Sequence, residues 1–264
     1  MNTAWFRFYE ELNDFLPAAR RKIEFPYDFE GNPSVKDLIE SLGVPHPEID
    51  LIIVNGESSS FSRKITDGDH ISVYPVFESL DISGIQHLRK EPLRETRFIL
   101  DVHLGKLAKY LRLFGFDSLL DMNLNDNEII ERSIQEKRII LTRDKMLLRN
   151  KLVTHGYWIR SDNPRLQAEE VVRKFDLTGR MKPLNRCLEC NTIIEPVSKE
   201  LISGRIPDNT RKYYDEFWIC KGCGRIYWEG SHYEKLIDFV ESVKKGGVGR
   251  RNGEGESRRR ENQK

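Results

Sequence analysis

All four cysteines of this chain fall into two matched pairs, Cys187-Leu-Glu-Cys190 and Cys220-Lys-Gly-Cys223, with 29 residues between them. No other feature constrains the fold as tightly. A Cys-x-x-Cys turn presents two thiolates to one point, and two such turns make the tetrahedral set of soft ligands that zinc prefers. Disulfides and redox-active thiols are the alternatives. The N-terminal MNTAWFRFYEELNDF carries acids early and no small-residue cleavage site, so a leader peptide is not expected. A cytoplasmic location follows as the default, and a reducing compartment disfavours disulfides. Cys187, Cys190, Cys220 and Cys223 are therefore expected to bind one Zn²⁺. A four-cysteine site is closed, so this zinc would hold a fold together and do no chemistry. Gly224, directly after the second pair, lets the chain turn tightly around the metal.

Upstream, from residue 97, strand-like and helix-like segments alternate. RFILD, FDSLLD, RIILTRD and GYWIR read as strands; HLGKLAKYLRLFG, NDNEIIERSIQEK and PRLQAEEVVRKF read as helices. Leu104, Leu107, Ala108, Leu111 and Phe114 line one face of the first helix. Asn125 and Glu128 have capping-box spacing at the start of the second, and Pro164 opens the third. Such an order implies an α/β domain with a mostly parallel sheet. Ligands of these sheets gather at the carboxyl ends of the strands. Asp101 and Asp144 each end a strand there. Two such acids repel unless a cation lies between them, and hard oxygen ligands suit Mg²⁺ or Mn²⁺. Asp126 opens the second helix and Asp162 precedes the third, so both could complete the ring. Each acid also has a plainer role: Asp126 and Asp162 favour a helix dipole, and Asp101 can cap its helix. The combination carries the argument.

Lys106, Lys109 and Arg112 form a polar stripe opposite the leucines of the first helix. It is either a solvated face or a row of phosphate contacts beside the metal site. Arg143, next to Asp144, could contact a phosphate or pair with an acid. The net charge of +1 is uneven: Lys244 to Lys264 carries +5, so the rest carries about −4. The body is no general polyanion binder, and RNA binding would need a local basic face. Hydrophobic residues at 38% fit several small domains better than one large core. No apolar run is long enough to span a membrane.

Residues 4–77 read as a separate α+β unit. AWFRFY and RKIEFPYDF are strand-like, and PSVKDLIESLG is a short helix capped by Ser34, with Val35, Leu38, Ile39 and Leu42 on one face. DLIIVNG and ITDGDHISVYPVF follow, with Asn55-Gly56 and Asp67-Gly68 turns. This is the order of a β-grasp fold, and it resembles the ubiquitin-like sulfur-carrier proteins. Those carriers end in Gly-Gly; this segment runs on into ESLDISGIQHLRK, so carrier chemistry is not expected.

FILDVHLGKLAKYLRLFGFDSLL, NDNEII, RIILTRDKMLL, RC-x2-CN and FWICKGCGRIYWEGSH together resemble the Mut-seven C-terminal RNase family, over about 97–235. That resemblance implies a PIN-like nuclease domain carrying a zinc ribbon, with Asp101 and Asp144 as metal ligands. Related PIN-like patterns imply the same for Asp126 and, less directly, Asp162. Some members carry a ubiquitin-like domain in front. The expected division is a ubiquitin-like β-grasp domain at 1–78, a linker at 79–96, a PIN-like nuclease domain at 97–180, a zinc ribbon at 181–240 and a disordered basic tail at 241–264. The expected function is metal-dependent hydrolysis of RNA, with the β-grasp domain binding a protein partner. The alternative is a non-catalytic RNA-binding adaptor using the ribbon and the β-grasp domain. His232 is expected at the surface or in contact with RNA, since the zinc needs no fifth ligand.

Overall fold

The computed structural model describes residues 1–75 and 96–246. The expected linker, apart from Thr96, and the tail from 247 lie outside the described residues.

The N-terminal unit is built from β1 (Asn2–Phe8), β2 (Phe25–Phe29), α1 (Val35–Ser41), β3 (Ile49–Val54), β4 (Glu57–Ser59) and β5 (His70–Pro75). The sheet order is β2-β1-β5-β3-β4, with β1 parallel to β5 and the other pairs antiparallel. This is the β-grasp arrangement. Alternation drives it: Ala4, Phe6 and Phe8 point from β1 into the core, against Val35, Leu38 and Ile39 of α1. α1 starts where Ser34 and Asp37 cap each other reciprocally. Between β1 and β2 the chain makes an excursion through short 3-10 helices at Glu10–Phe15 and Ala18–Arg20, which sequence pattern alone did not foresee.

The second unit runs through β6 (Arg97–Leu100), α2 (Gly105–Leu113), β7 (Asp117–Leu119), α3 (Asp126–Glu136), β8 (Ile139–Thr142), α4 (Lys145–Leu148), β9 (Gly156–Trp158) and α5 (Pro164–Lys174). Its sheet order is β7-β6-β8-β9, and every pair is parallel. Helices cover both faces, so the central strands β6 and β8 are buried and apolar along most of their length. Phe98, Leu100 and Leu141 face α2 and α5, whereas Ile99 and Ile140 face α3 and α4.

The last unit contains β10 (Ile194–Val197), α6 (Lys199–Ile202), α7 (Asp208–Tyr213), β11 (Phe217–Cys220), β12 (Ile226–Tyr227) and α8 (Ser231–Lys244). β10, β11 and β12 form an antiparallel sheet, and α6 and α7 are inserted between the two cysteine pairs. The boundary expected at 240 cuts through α8. That helix continues to Lys244 and buries Phe239, Val240 and Val243 in the core of the parallel domain. The Phe239 ring lies 5.0 Å from Tyr110 and 5.6 Å from Phe114. Leu236, Phe239, Val240 and Val243 have helical spacing, a signal that was present in the sequence.

The β-grasp unit does not stand apart. Glu48 is fully buried, accepts the Trp158 N–H at 2.5 Å and lies 3.4 Å from the Arg160 guanidinium. Arg160 also holds Asp14 at 2.9 Å, and Lys174 holds Glu11 at 2.6 Å. His46 meets the Val153 carbonyl at 2.7 Å, and Arg149 donates to the Glu40 carbonyl. Burial pushes the Glu48 carboxyl up, against the pull of Arg160 and the Trp158 N–H. The β-grasp surface around His46, Glu48 and the Glu10–Phe15 turn is therefore spent on this chain's own second domain, not offered to a partner. Arg160→Met strands Glu48 without its cation. It is expected to cost about 3 kcal/mol or more, the usual consequence of breaking a buried ion pair. Denaturant unfolding measures it, and an unchanged midpoint would show that the seam is not what joins the two units.

Candidate active site and metal centre

Asp101 follows β6 and Asp144 follows β8, and these strands are neighbours in the sheet. The two acids meet at Thr142, the buried last residue of β8. Its Oγ1 donates to Asp101 Oδ2 at 2.8 Å and accepts the Asp144 N–H at 2.9 Å. Both carboxylates also cap the turns they open: Asp101 accepts from the His103 N–H at 3.0 Å and Asp144 from the Met146 N–H at 2.7 Å. The capping role and the link through Thr142 thus coexist. A carboxylate oxygen has two lone-pair directions, so these bonds leave room for a cation. Hard oxygens at one strand end fit Mg²⁺ or Mn²⁺ by donor chemistry. Thr142 was not singled out from the sequence; a hydroxyl two residues before a strand-end acid was the available signal.

Asp126 is exposed at the first turn of α3. Asn125 and Glu128 form the capping box there, so the Asp126 carboxylate is not needed as a cap. Asp162 is 90% exposed and pairs with Arg143, which also donates to the Ser161 carbonyl. Among the described residues, the four cysteines are the one group of three or more ligand-type side chains with ligand atoms within 4.8 Å of one another. The structure ties the Asp101 carboxylate to the Asp144 backbone through Thr142 and does not bring Asp126 and Asp162 into one group of close ligand atoms with them.

The cationic stripe needs correction. Lys106 is exposed, but Lys109 pairs with Glu189 at 2.8 Å. Arg112, expected to reach phosphate, is only 3% exposed. Its Nε donates to the Ser118 carbonyl at 2.9 Å, and its Nη1 to the Leu188 and Glu189 carbonyls at 3.0 and 2.7 Å. Burial holds this guanidinium below its ordinary value, against the pull of Cys187 and Cys190. Arg112 is a strut under the first cysteine turn. Helical spacing shows which residues share a face; it does not show that another domain lands on it.

The cysteine cluster is compact. Cys187 and Cys223 sulfurs lie 3.5 Å apart, and those of Cys190 and Cys220 3.2 Å apart. A tetrahedral zinc with 2.3 Å bonds would set its sulfurs about 3.8 Å apart, so the four residues fit zinc with little adjustment. The Cys190 and Cys223 N–H groups point at Cys187 and Cys220 sulfurs, and Tyr227 Oη donates to Cys187 Sγ at 3.1 Å. Burial opposes the Cys190 thiolate, but the Thr192 hydroxyl and backbone and the neighbouring thiols pull it down to about 6. Gly224 takes φ +73°, the left-handed turn expected of it.

This centre is bolted to the edge strand β7. Asn191 accepts the Ser118 N–H at 3.0 Å and donates to Asp117 Oδ1 at 2.8 Å. Burial disfavours the Asp117 carboxylate, but Arg138 and Asn191 outweigh it and hold the carboxyl below its usual range. At Gly115, φ +95°, a Cβ would lie 2.2 Å from the Lys182 carbonyl, so only glycine lets the two backbones approach so closely. Asp121 accepts the Asn123 N–H in the turn after β7, Glu128 completes the capping box that the sequence suggested, and His232 is exposed.

A β-grasp unit, a parallel α/β domain with paired acids at its strand ends and a four-cysteine ribbon on its edge strand define a three-part architecture. A family model described as Mut7-C RNAse domain matches residues 96–240, and one described as Mut7-C ubiquitin matches residues 1–81. The chain belongs to the Mut7-C RNase domain family, the one its motifs resemble. No curated protein matches the chain. SAMP1 from Haloferax volcanii matches at 18% identity and a TM-score of 0.24, over 30% of this chain and 100% of its own. A second structure, H. volcanii small archaeal modifier protein 1, matches at 19% identity and a TM-score of 0.23, over 28% of this chain and 98% of its own. Among the described residues no helix is long and apolar enough to cross a membrane.

Proposed function

We propose that the chain is a metal-dependent ribonuclease acting at Asp101 and Asp144. The observation that carries this reading is the Thr142 hydroxyl, which bonds the Asp101 carboxylate and the Asp144 backbone N–H and so holds the two acid-bearing strand ends together, in a chain of an RNase-domain family. In the proposed reaction, water adds to an RNA phosphorus as the bond to the leaving sugar oxygen breaks. A Mg²⁺ or Mn²⁺ ion held by Asp101 and Asp144 would supply positive charge to the phosphate and acidify a water. Thr142 keeps the Asp101 carboxylate oriented and ties it to the Asp144 backbone. Asp126, free of capping duty, is proposed as a third ligand; Asp162 would have to leave Arg143 to become a fourth. Lys106 is proposed as a phosphate contact on the open face of α2. The cysteines are proposed to hold a structural Zn²⁺, whose thiolates need a reducing compartment such as the cytoplasm.

The test is the full chain with end-labelled single-stranded RNA, titrated with Mg²⁺ and with Mn²⁺. Cleavage that requires added divalent metal is the expected result. RNA binding without cleavage at any metal concentration would favour the adaptor instead.

A further inference from the structure

The seam between the β-grasp and parallel domains holds a cation that the proposed site does not yet use. Lys145 follows Asp144 directly and opens α4. Its ammonium lies 3.9 Å from the Trp158 ring centroid and 4.9 Å from that of Phe15. Phe15 belongs to the β-grasp unit, and the two rings are 5.1 Å apart. Trp158 is pinned in turn, because its indole N–H donates to the Arg143 carbonyl at 3.1 Å, one residue before Asp144.

The acids nearby are engaged elsewhere. Asp14 and Glu48 both turn to Arg160, and among the described residues Lys145 has no carboxylate partner. Arg143, the cation expected to meet phosphate, is committed to Asp162 and Ser161. A lysine held by aromatic faces beside a carboxylate pair keeps its charge available, and its flexible stem is already ordered.

Resting on the ribonuclease reading, we propose that Lys145, seated on Phe15 and Trp158, contacts an RNA phosphate beside the scissile bond. The β-grasp domain then completes the substrate cleft. Phe15 is a positioning residue, acting through the lysine.

The experiment uses the full chain and four variants: Lys145→Gln, Lys145→Arg, Phe15→Leu and Asp144→Asn. Steady-state cleavage of single-stranded RNA is measured at saturating Mn²⁺, with RNA binding by fluorescence anisotropy across a salt series and a melting curve for each protein. Lys145→Gln should raise KM and Kd about tenfold, the scale of a lost charge-assisted hydrogen bond, with a smaller change in kcat. Its log Kd against log salt should flatten by about 0.7, one phosphate contact on a single strand. Lys145→Arg should restore most of the affinity, and Phe15→Leu should lose part of it. Asp144→Asn should do the opposite, losing kcat while keeping Kd and so separating the two readings. A Lys145→Gln chain with wild-type KM, Kd and salt slope overturns the proposal, even if its melting temperature falls. If the wild type binds RNA through Lys145 but cuts none, the ribonuclease reading fails and the phosphate seat stands. If it neither binds nor cuts, both fall.

Discussion

Asp101→Asn and Asp144→Asn are each expected to slow cleavage by about 100-fold or more, since even outer-shell partners of metal ligands are worth about 10- to 100-fold. The fold should survive. Asparagine keeps an oxygen that can accept the His103 or Met146 N–H, and it caps helices about as well as aspartate. Removing one of two like charges at neighbouring strand ends relieves repulsion, so the metal-free variants should melt no lower than the wild type and could melt higher. A purely structural role predicts the reverse pattern: altered stability with retained activity. Cleavage rate against Mg²⁺ or Mn²⁺ concentration, beside a melting curve for each variant, decides between them. Wild-type rates for both variants at saturating metal would falsify the site.

Removing one cysteine should cost stability on a comparable scale of effect. Structural zinc contributes on the order of 10 kcal/mol of binding free energy to the folding of small modules. Cys187→Ser and Cys223→Ser should each lose the one zinc per chain that metal analysis of the wild type is expected to find, and both should melt far lower. The damage should not stay local. The first cysteine turn holds the Arg112 guanidinium through two carbonyls and, through Asn191, satisfies the edge strand β7. Hydrogen exchange around Ser118 and along α2 should therefore rise together with exchange in the ribbon. Equal melting temperatures and full protection in a zinc-free protein would sink this account. Exchange confined to the ribbon would show that the strut carries no coupling.

Much of this molecule is legible from local pattern. The β-grasp order, the parallel sheet and the paired cysteines follow from periodicity, turn residues and ligand spacing, which act over a few residues. So do the Ser34 and Asn125 caps and the placing of Asp101 and Asp144 at strand ends. The same logic fails wherever one unit lands on another. Lys106, Lys109 and Arg112 share a helical face by spacing, yet only docking of the ribbon turns Arg112 inward and leaves Lys106 to solvent. α8 has a visible apolar stripe, but its seat on Phe114 and Tyr110 is a contact across more than a hundred residues of chain.

The acids divide in the same way. That strand-end carboxylates exist is a property of the linear chain. That Thr142 ties the Asp101 carboxylate to the Asp144 backbone, while Arg143 draws Asp162 away, depends on where neighbouring strands end and which cation is nearest in space. Sequence separation bears no relation to that distance. Glu48 makes the point most strongly: an acid in a short turn reads as surface, but it is buried against Arg160, 112 positions along the chain. Identity and spacing determined the elements, the ligand types and the family. Only packing between the three units decided which charges face water, which are spent on holding the units together, and which remain free to meet a substrate.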